Sequence, residues 1–180
     1  MVRAINQRWL LKFWKRSLGQ RAVPSWQAVE AENLTRVADN LSYLEVTGST
    51  EIKRIQIRQH GPGVAKVYGK PDCRGRYLDE IIPRERHPTG LMPYYRAFST
   101  AVPVYTVCDV RDKDGRHILF ERLILPFSNE GSAVDRIMSS FEFVCEDGSY
   151  DAAALVGLKL GASSLRLCAM IETPRETTPA

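Results

Sequence analysis

The chain has 180 residues, 44% hydrophobic and 26% charged, the composition of a globular protein with room for one domain, extensions and a core of normal size. Its net charge of +4 is unevenly placed: Arg3, Arg8, Lys12, Lys15, Arg16 and Arg21 all precede the first acid, Glu30. Without those six of the 25 basic residues, 19 remain against 21 acids, a balance of −2, so no nucleic-acid surface is expected on the body and any electrostatic attraction belongs to the amino-terminal segment.

From about Ala4 to Leu18, Ile5, Trp9, Phe13 and Leu18 recur near helical spacing, Leu10, Leu11 and Trp14 widen the stripe, and basic residues fill the other face. This predicts an amphipathic helix ending at Gly19. Burying Trp9, Leu10, Phe13, Trp14 and Leu18 is worth about 2 kcal/mol each, on the order of 10 kcal/mol together, comparable with the stability of a whole domain. Such a face is expected to pack on the body or on a dimer partner through Trp9, Leu10, Phe13 and Trp14; a membrane-surface helix is the alternative its basic side allows.

After a linker around Pro24, a short segment runs to Val37. Leu41 to Thr47 and Glu51 to Gln59 read as a first hairpin around Gly48-Ser49-Thr50, with Ile55 and Ile57 alternating against Arg54, Gln56 and Arg58. Val64 to Tyr68 and Leu78 to Ile82 read as short helical turns, and Pro88 to Ala101 as a longer helix whose Pro93 must sit in its first turn or kink it. Val104 to Val110, His117 to Phe127 and Ala133 to Val144 supply three more strands, joined by turns at Asp112-Lys113-Asp114-Gly115 and Ser128-Asn129-Glu130-Gly131. Asp151 to Ala180 carries a helix-like Ala-Leu segment and a Thr/Pro-rich end expected to be disordered.

That order predicts an α+β fold: a five-stranded antiparallel sheet with helices on one face. Leu119 and Leu123 alternate with Phe120 and Ile124, so the fourth strand is apolar on both sides, and the amino-terminal helix is the expected cover for the second face. The divisions implied are residues 1–37 for the amphipathic helix and linker, 38–146 for the sheet domain and 147–180 for a carboxy-terminal extension.

Cys73, Cys108, Cys145 and Cys168 stand far apart with no Cys-x-x-Cys pair, which fits reduced thiols in a cytoplasmic protein and gives no metal set. The amino terminus lacks the continuous apolar core of an export signal. Leu155 to Ile171 is interrupted by Lys159 and Arg166 and is too short to span a bilayer. No Gly-x-Ser-x-Gly elbow and no phosphate-cradling glycine loop occurs, so no catalytic residue is singled out.

Several pieces in order resemble a stand-alone bacterial subfamily of PAS domains, catalogued largely as a domain of unknown function, over about Trp9 to Val144. They are WLLKFWKRSLGQRAVPSW, the strand LSYLEV, the segment CRGRYLDEII, the junction YRAFSTAVPVY and the hairpin FERLILPFSNEGSAVDRI. The resemblance implies a sensory or regulatory module with a pocket between the long helix and the inner sheet face, where PAS domains hold a small ligand or pack themselves shut. After Val144 no kinase, cyclase or DNA-binding module follows, so output is expected through a partner protein or a homodimer. An isomerase or hydrolase on a similar pocketed α+β sheet is the rival reading.

Expected to face the pocket are Ile57, Tyr68, Tyr77, Leu78, Tyr94, Tyr95, Phe98, Tyr105 and Ile124, an apolar wall with phenolic anchors. Arg122, mid-strand between apolar neighbours, is a candidate for an anionic ligand group; pairing with Glu121 of a neighbouring chain, or exposure at a sheet edge, are its alternatives. His60, His87 and His117 lie in or beside loops, where solvation is the ordinary state, and Asp72-Cys73-Arg74 resembles a flavin-reactive Asn-Cys-Arg loop without its surrounding pattern. Neither haem nor flavin is expected, and no cofactor is identified.

Overall fold

A computed structural model describes residues 2–49, 52–68, 71–111, 116–145 and 164–172, with the side chains of Val67 and Tyr68 excluded. Its frame is one antiparallel sheet in the order β2-β1-β5-β4-β3-β6. The strands are β1 (Leu41–Gly48), β2 (Lys53–His60), β3 (Val104–Arg111), β4 (His117–Phe127), β5 (Arg136–Cys145) and β6 (Ser164–Met170). The expected α+β class and the first five strands are present; the sixth, which pairs antiparallel with β3, is an addition. It falls where the sequence suggested a helix-like extension, because Leu165 and Leu167 alternate with Arg166 at the period of a strand. The expected Asp112–Gly115 turn and the Ala-Leu segment lie outside the described residues.

Helices α1 (Ile5–Leu18) and α2 (Gln27–Ala31) precede the sheet, and α3 (Pro62–Tyr68), α4 (Leu78–Ile81) and α5 (Met92–Thr100) lie between β2 and β3. The long helix expected from Pro88 is two pieces: a π-turn, His87–Leu91, feeds α5. Pro93 is the reason. It stands in the first turn of α5 and has no N–H for the carbonyl of Thr89 four residues earlier, so a continuous α-helical ladder cannot cross this point.

Both sheet faces are covered. The outer cluster joins Leu10, Phe13 and Trp14 of α1 to Leu41, Tyr105, Leu119, Leu123, Leu125, Phe127 and Met138. The inner cluster joins Leu44, Ile55, Ile57, Val104, Ile124 and Ile137 of the sheet to Leu78, Leu91, Tyr94 and Ala97 of the helices. Thus α1 covers the second face, as the two-sided apolarity of β4 required. It does so within the chain: Leu10 is fully buried, Phe13 and Trp14 nearly so, and Trp9 partly. Trp14 Nε1–H also donates to the Pro126 carbonyl at 2.7 Å. Of the four residues expected at a dimer interface, Leu10, Phe13 and Trp14 are therefore packed within the chain under the apolar area of β4, and Trp9 is partly buried. No described helix is long and apolar enough to cross a membrane.

The β4–β5 turn fixes register. Gly131 takes φ +81°, a conformation that favours glycine; its N–H donates to Ser128 Oγ at 2.8 Å, and the N–H of Asn129 donates to Asp135 Oδ1 at 3.0 Å. Arg122 then pairs with Phe141 and Ile124 with Ser139 across the strands.

Candidate functional site: a polar stripe on the inner sheet face

Strand residues two apart share a face, so the buried Ile124 fixes which side chains look inward. Arg122 is on its side of β4; Thr106 lies opposite Arg122 on β3, Ser139 opposite Ile124 on β5, and Ser42 opposite Ser139 on β1. These four polar residues form a stripe across the middle of the sheet, and all are buried: Ser42 and Ser139 at 0% exposure, Thr106 at 1% and Arg122 at 4%. Tyr94, at 1%, descends on them from α5, with its hydroxyl 3.2 Å from Ser139 Oγ.

The guanidinium of Arg122 lies 4.9 Å from the centre of the Tyr94 ring and 5.9 Å from that of Phe120, cation–π distances. Its Nη1 and Nη2 donate to the carbonyls of Gly90 and Thr89, each at 2.8 Å. The charge is thus held by two neutral carbonyls of the π-turn, and no carboxylate among the described residues forms an ion pair with it. Three polar atoms of the stripe are buried without a hydrogen-bond partner: Arg122 Nε, Thr106 Oγ1 and Ser42 Oγ. Such groups cost about 1–3 kcal/mol each when unmet, and buried polar groups are ordinarily satisfied. Beyond the stripe the face is aromatic, with Phe120 stacked on Phe141 and Phe143 at 5.5 and 4.9 Å.

Ile57, Leu78 and Ile124 are fully buried in the inner cluster together with Tyr94, while Tyr95 and Phe98 pack partly buried at its edge. The Tyr95 hydroxyl donates to the Lys53 carbonyl at 3.1 Å, and burial raises its pKa. Tyr77 stands at the rim: its ring carries the Arg54 guanidinium 3.7 Å from its centre. Gly75, at φ +78°, makes the expected bend, yet only Leu78 completes the turn inward. The side chain of Tyr68 lies outside the described set. Tyr105 belongs to the outer face, because it is one residue out of phase with Val104 and Thr106; it is buried under α1 and donates to Glu121 Oε2 at 2.6 Å. Arg122 is neither exposed nor at an edge, since β4 has β5 on one side and β3 on the other.

Reading the strands by parity from Ile124 would have found Ser42, Thr106 and Ser139. Their signal in the sequence is hydroxyl residues at inward positions of otherwise apolar strands.

His60 is also not solvated. Its side chain is 5% exposed, its Nε2 accepts the N–H of Cys73 at 3.0 Å and its Nδ1 lies 3.3 Å from the Gly61 carbonyl, so both ring nitrogens are engaged. Cys73 itself is fully buried in the inner cluster. His87 Nε2 lies 3.0 Å from the Ile82 carbonyl, and His117 pairs with Asp109, which also holds Arg166.

Under the start of α1 lies a second polar group. Glu121 and Glu142 oppose each other on β4 and β5. Arg3 reaches Glu121 Oε1 at 2.7 Å, Asn6 donates to Glu142 Oε1 at 3.2 Å, and Gln7 donates to the carbonyls of Glu121 and Ser140, both at 3.2 Å. Burial raises the Glu142 carboxyl above its usual range, with the facing Glu121 charge adding to the shift. Burial likewise pushes Tyr105 up to about 12. An open cleft of about 420 Å³ beside α2, lined in part by Trp26, Tyr43, Arg58 and Arg136, is separate from the inner stripe.

No family model and no curated protein matches the sequence. Among solved structures, the light-state structure of the blue-light photoreceptor Aureochrome1 LOV aligns with 70% of this chain and 94% of its own, at 15% identity and a TM-score of 0.45. A Light-Oxygen-Voltage domain studied with a flavin analogue covers 74% and 93%, at 19% identity and 0.45, and dark-state Aureochrome1 LOV covers 76% and 94%, at 17% and 0.41. At such identities and scores no binding property passes from them to this chain. The fold class rests on the chain's own element order, two strands, a run of helices and four strands in one antiparallel sheet among the described residues, which is α+β.

Proposed function

We propose that the chain is a PAS-type sensory or regulatory module, working in the cytoplasm, whose inner sheet face takes up a small ligand and whose response passes to a partner protein. One observation carries the reading: buried donors and hydroxyls without protein partners sit at the centre of a face that is otherwise apolar. Packing alone gains nothing from them, since apolar groups of similar shape would remove the cost. A ligand that meets them turns the same groups into recognition.

The rival reading as an isomerase or hydrolase needs a proton-transferring group facing the substrate. The stripe offers hydroxyls and a guanidinium, and neither a carboxylate nor an imidazole is among its members. The burial of Leu10, Phe13 and Trp14 within the chain leaves Trp9 as the one residue of the expected dimer set that is only partly buried. Mass spectrometry of the supernatant after denaturing the natively purified protein tests the proposal. One small molecule recovered at near one per chain is the expected result; an empty supernatant, with no compound in a metabolite panel raising Tm, would refute it.

A further inference from the structure

Resting on that reading, we infer that Arg122 is the anchor for a small anion, a carboxylate or other oxyanion, and that the Thr89 and Gly90 carbonyls of the π-turn are its stand-ins when no ligand is bound. A guanidinium presents five N–H groups in a planar fork suited to two oxygens of one acid group. Here Nη1 and Nη2 each meet one carbonyl and Nε meets nothing. A buried cation is ordinarily matched by a carboxylate; at 4% exposure, Arg122 has only neutral oxygens and two aromatic faces. What is missing is one negative charge with acceptor oxygens.

The surroundings specify the rest of the guest. Thr106 Oγ1 lies across the ladder from Arg122 and Ser42 Oγ across from Ser139, both without partners and both able to donate. Phe120 and Tyr94 flank the guanidinium with rings, so a compact acid with a short apolar body fits better than a polyanion.

The stand-ins are also the means of response. Pro93 leaves the Thr89 carbonyl without the α-helical donor it would otherwise have, and Gly90 is tightly set: a Cβ there would come within 2.9 Å of Ile82 Cγ2. An anion that takes the guanidinium fork releases both carbonyls, so the turn leading into α5 must find other partners. Occupancy of the stripe thereby moves the helix that covers it.

Thermal unfolding of the full chain with acetate, malonate or inorganic phosphate, against sodium chloride at equal ionic strength, tests this. The expected result is a rise in Tm beyond the chloride control for at least one of them, scaling with concentration. Arg122→Gln should weaken the apparent affinity roughly tenfold or more, and general salt effects, which survive in that variant, are subtracted by it. Thr106→Val should raise Tm without ligand, by removing an unmet hydroxyl, and shrink the anion-dependent rise. If Arg122→Gln does not fold, Arg122→Lys and Thr106→Val carry the comparison. Equal responses in wild type and Thr106→Val, or no response to any of the three anions, would overturn the inference. A neutral molecule recovered from the native protein and still bound by Arg122→Gln would overturn it while leaving the sensory reading intact; neither binding nor recovery would remove both.

Discussion

Arg122 and Glu121 are neighbours in sequence, buried on opposite faces of one strand, and treated in opposite ways. Glu121 receives Tyr105 and Arg3, whereas Arg122 receives only carbonyls. The outer charge is paired and the inner one left available. Opposite Glu121, the Glu142 carboxyl has its pKa raised by burial and by the like charge. A raised carboxyl favours its protonated form in the folded protein, so its contribution to stability is present below the unfolded carboxylate pKa and lost as pH rises through the folded value. At neutral pH, Glu142→Gln should therefore raise Tm while keeping an acceptor for Asn6, and thermal scans should show the advantage closing as pH falls below the carboxylate range. An advantage that grows on acidification would contradict the assignment. Tyr105, at about 12, works by the same rule at the alkaline end: its contribution is intact below about pH 10 and is lost as pH climbs through 12.

Among the elements, α1 was the clearest in the sequence, and of its two expected resting places, the body or a dimer partner, it takes the sheet of its own chain. Its apolar stripe and its Gly19 end were legible because helical periodicity is a local property; what the stripe packs on depends on strands more than a hundred residues away. The clue to cis packing lay in β4, where Leu119 and Leu123 needed a cover. Leu10→Ala at a fully buried position should cost about 2–5 kcal/mol, and Trp14→Phe, which strands the Pro126 carbonyl, on the order of 1 kcal/mol or more. Denaturant unfolding checks both; a Leu10→Ala loss below about 1 kcal/mol would mean that α1 does not seal the sheet. The split of the expected Pro88–Ala101 helix was half legible, since Pro93 announced a break but not the π-turn that Gly90 and Arg122 make of it. β6 was not legible, because its alternation is confined to Leu165, Arg166 and Leu167 before Cys168 and Ala169 interrupt it.

At the level of the whole molecule, one sheet carries two unlike faces. The outer face is closed by α1 through Leu10, Phe13 and Trp14; the inner face is closed by helices whose π-turn is tied to a buried cation. The sequence pointed to the inner face through Tyr94, Leu78 and Ile57, and to Arg122 as an anion candidate, because apolar and aromatic residues announce themselves by pattern. The hydroxyl stripe and the outer placement of Tyr105 follow only once strand parity is fixed, because facing is decided by register, which a one-residue slip inverts. Hydrogen–deuterium exchange on the full chain with and without malonate tests the division most directly. Altered exchange in residues 87–100 and in the strand segments around Thr106, Arg122 and Ser139, with α1 unchanged, is the expected result. Protection that changes only in α1, or nowhere, would contradict it.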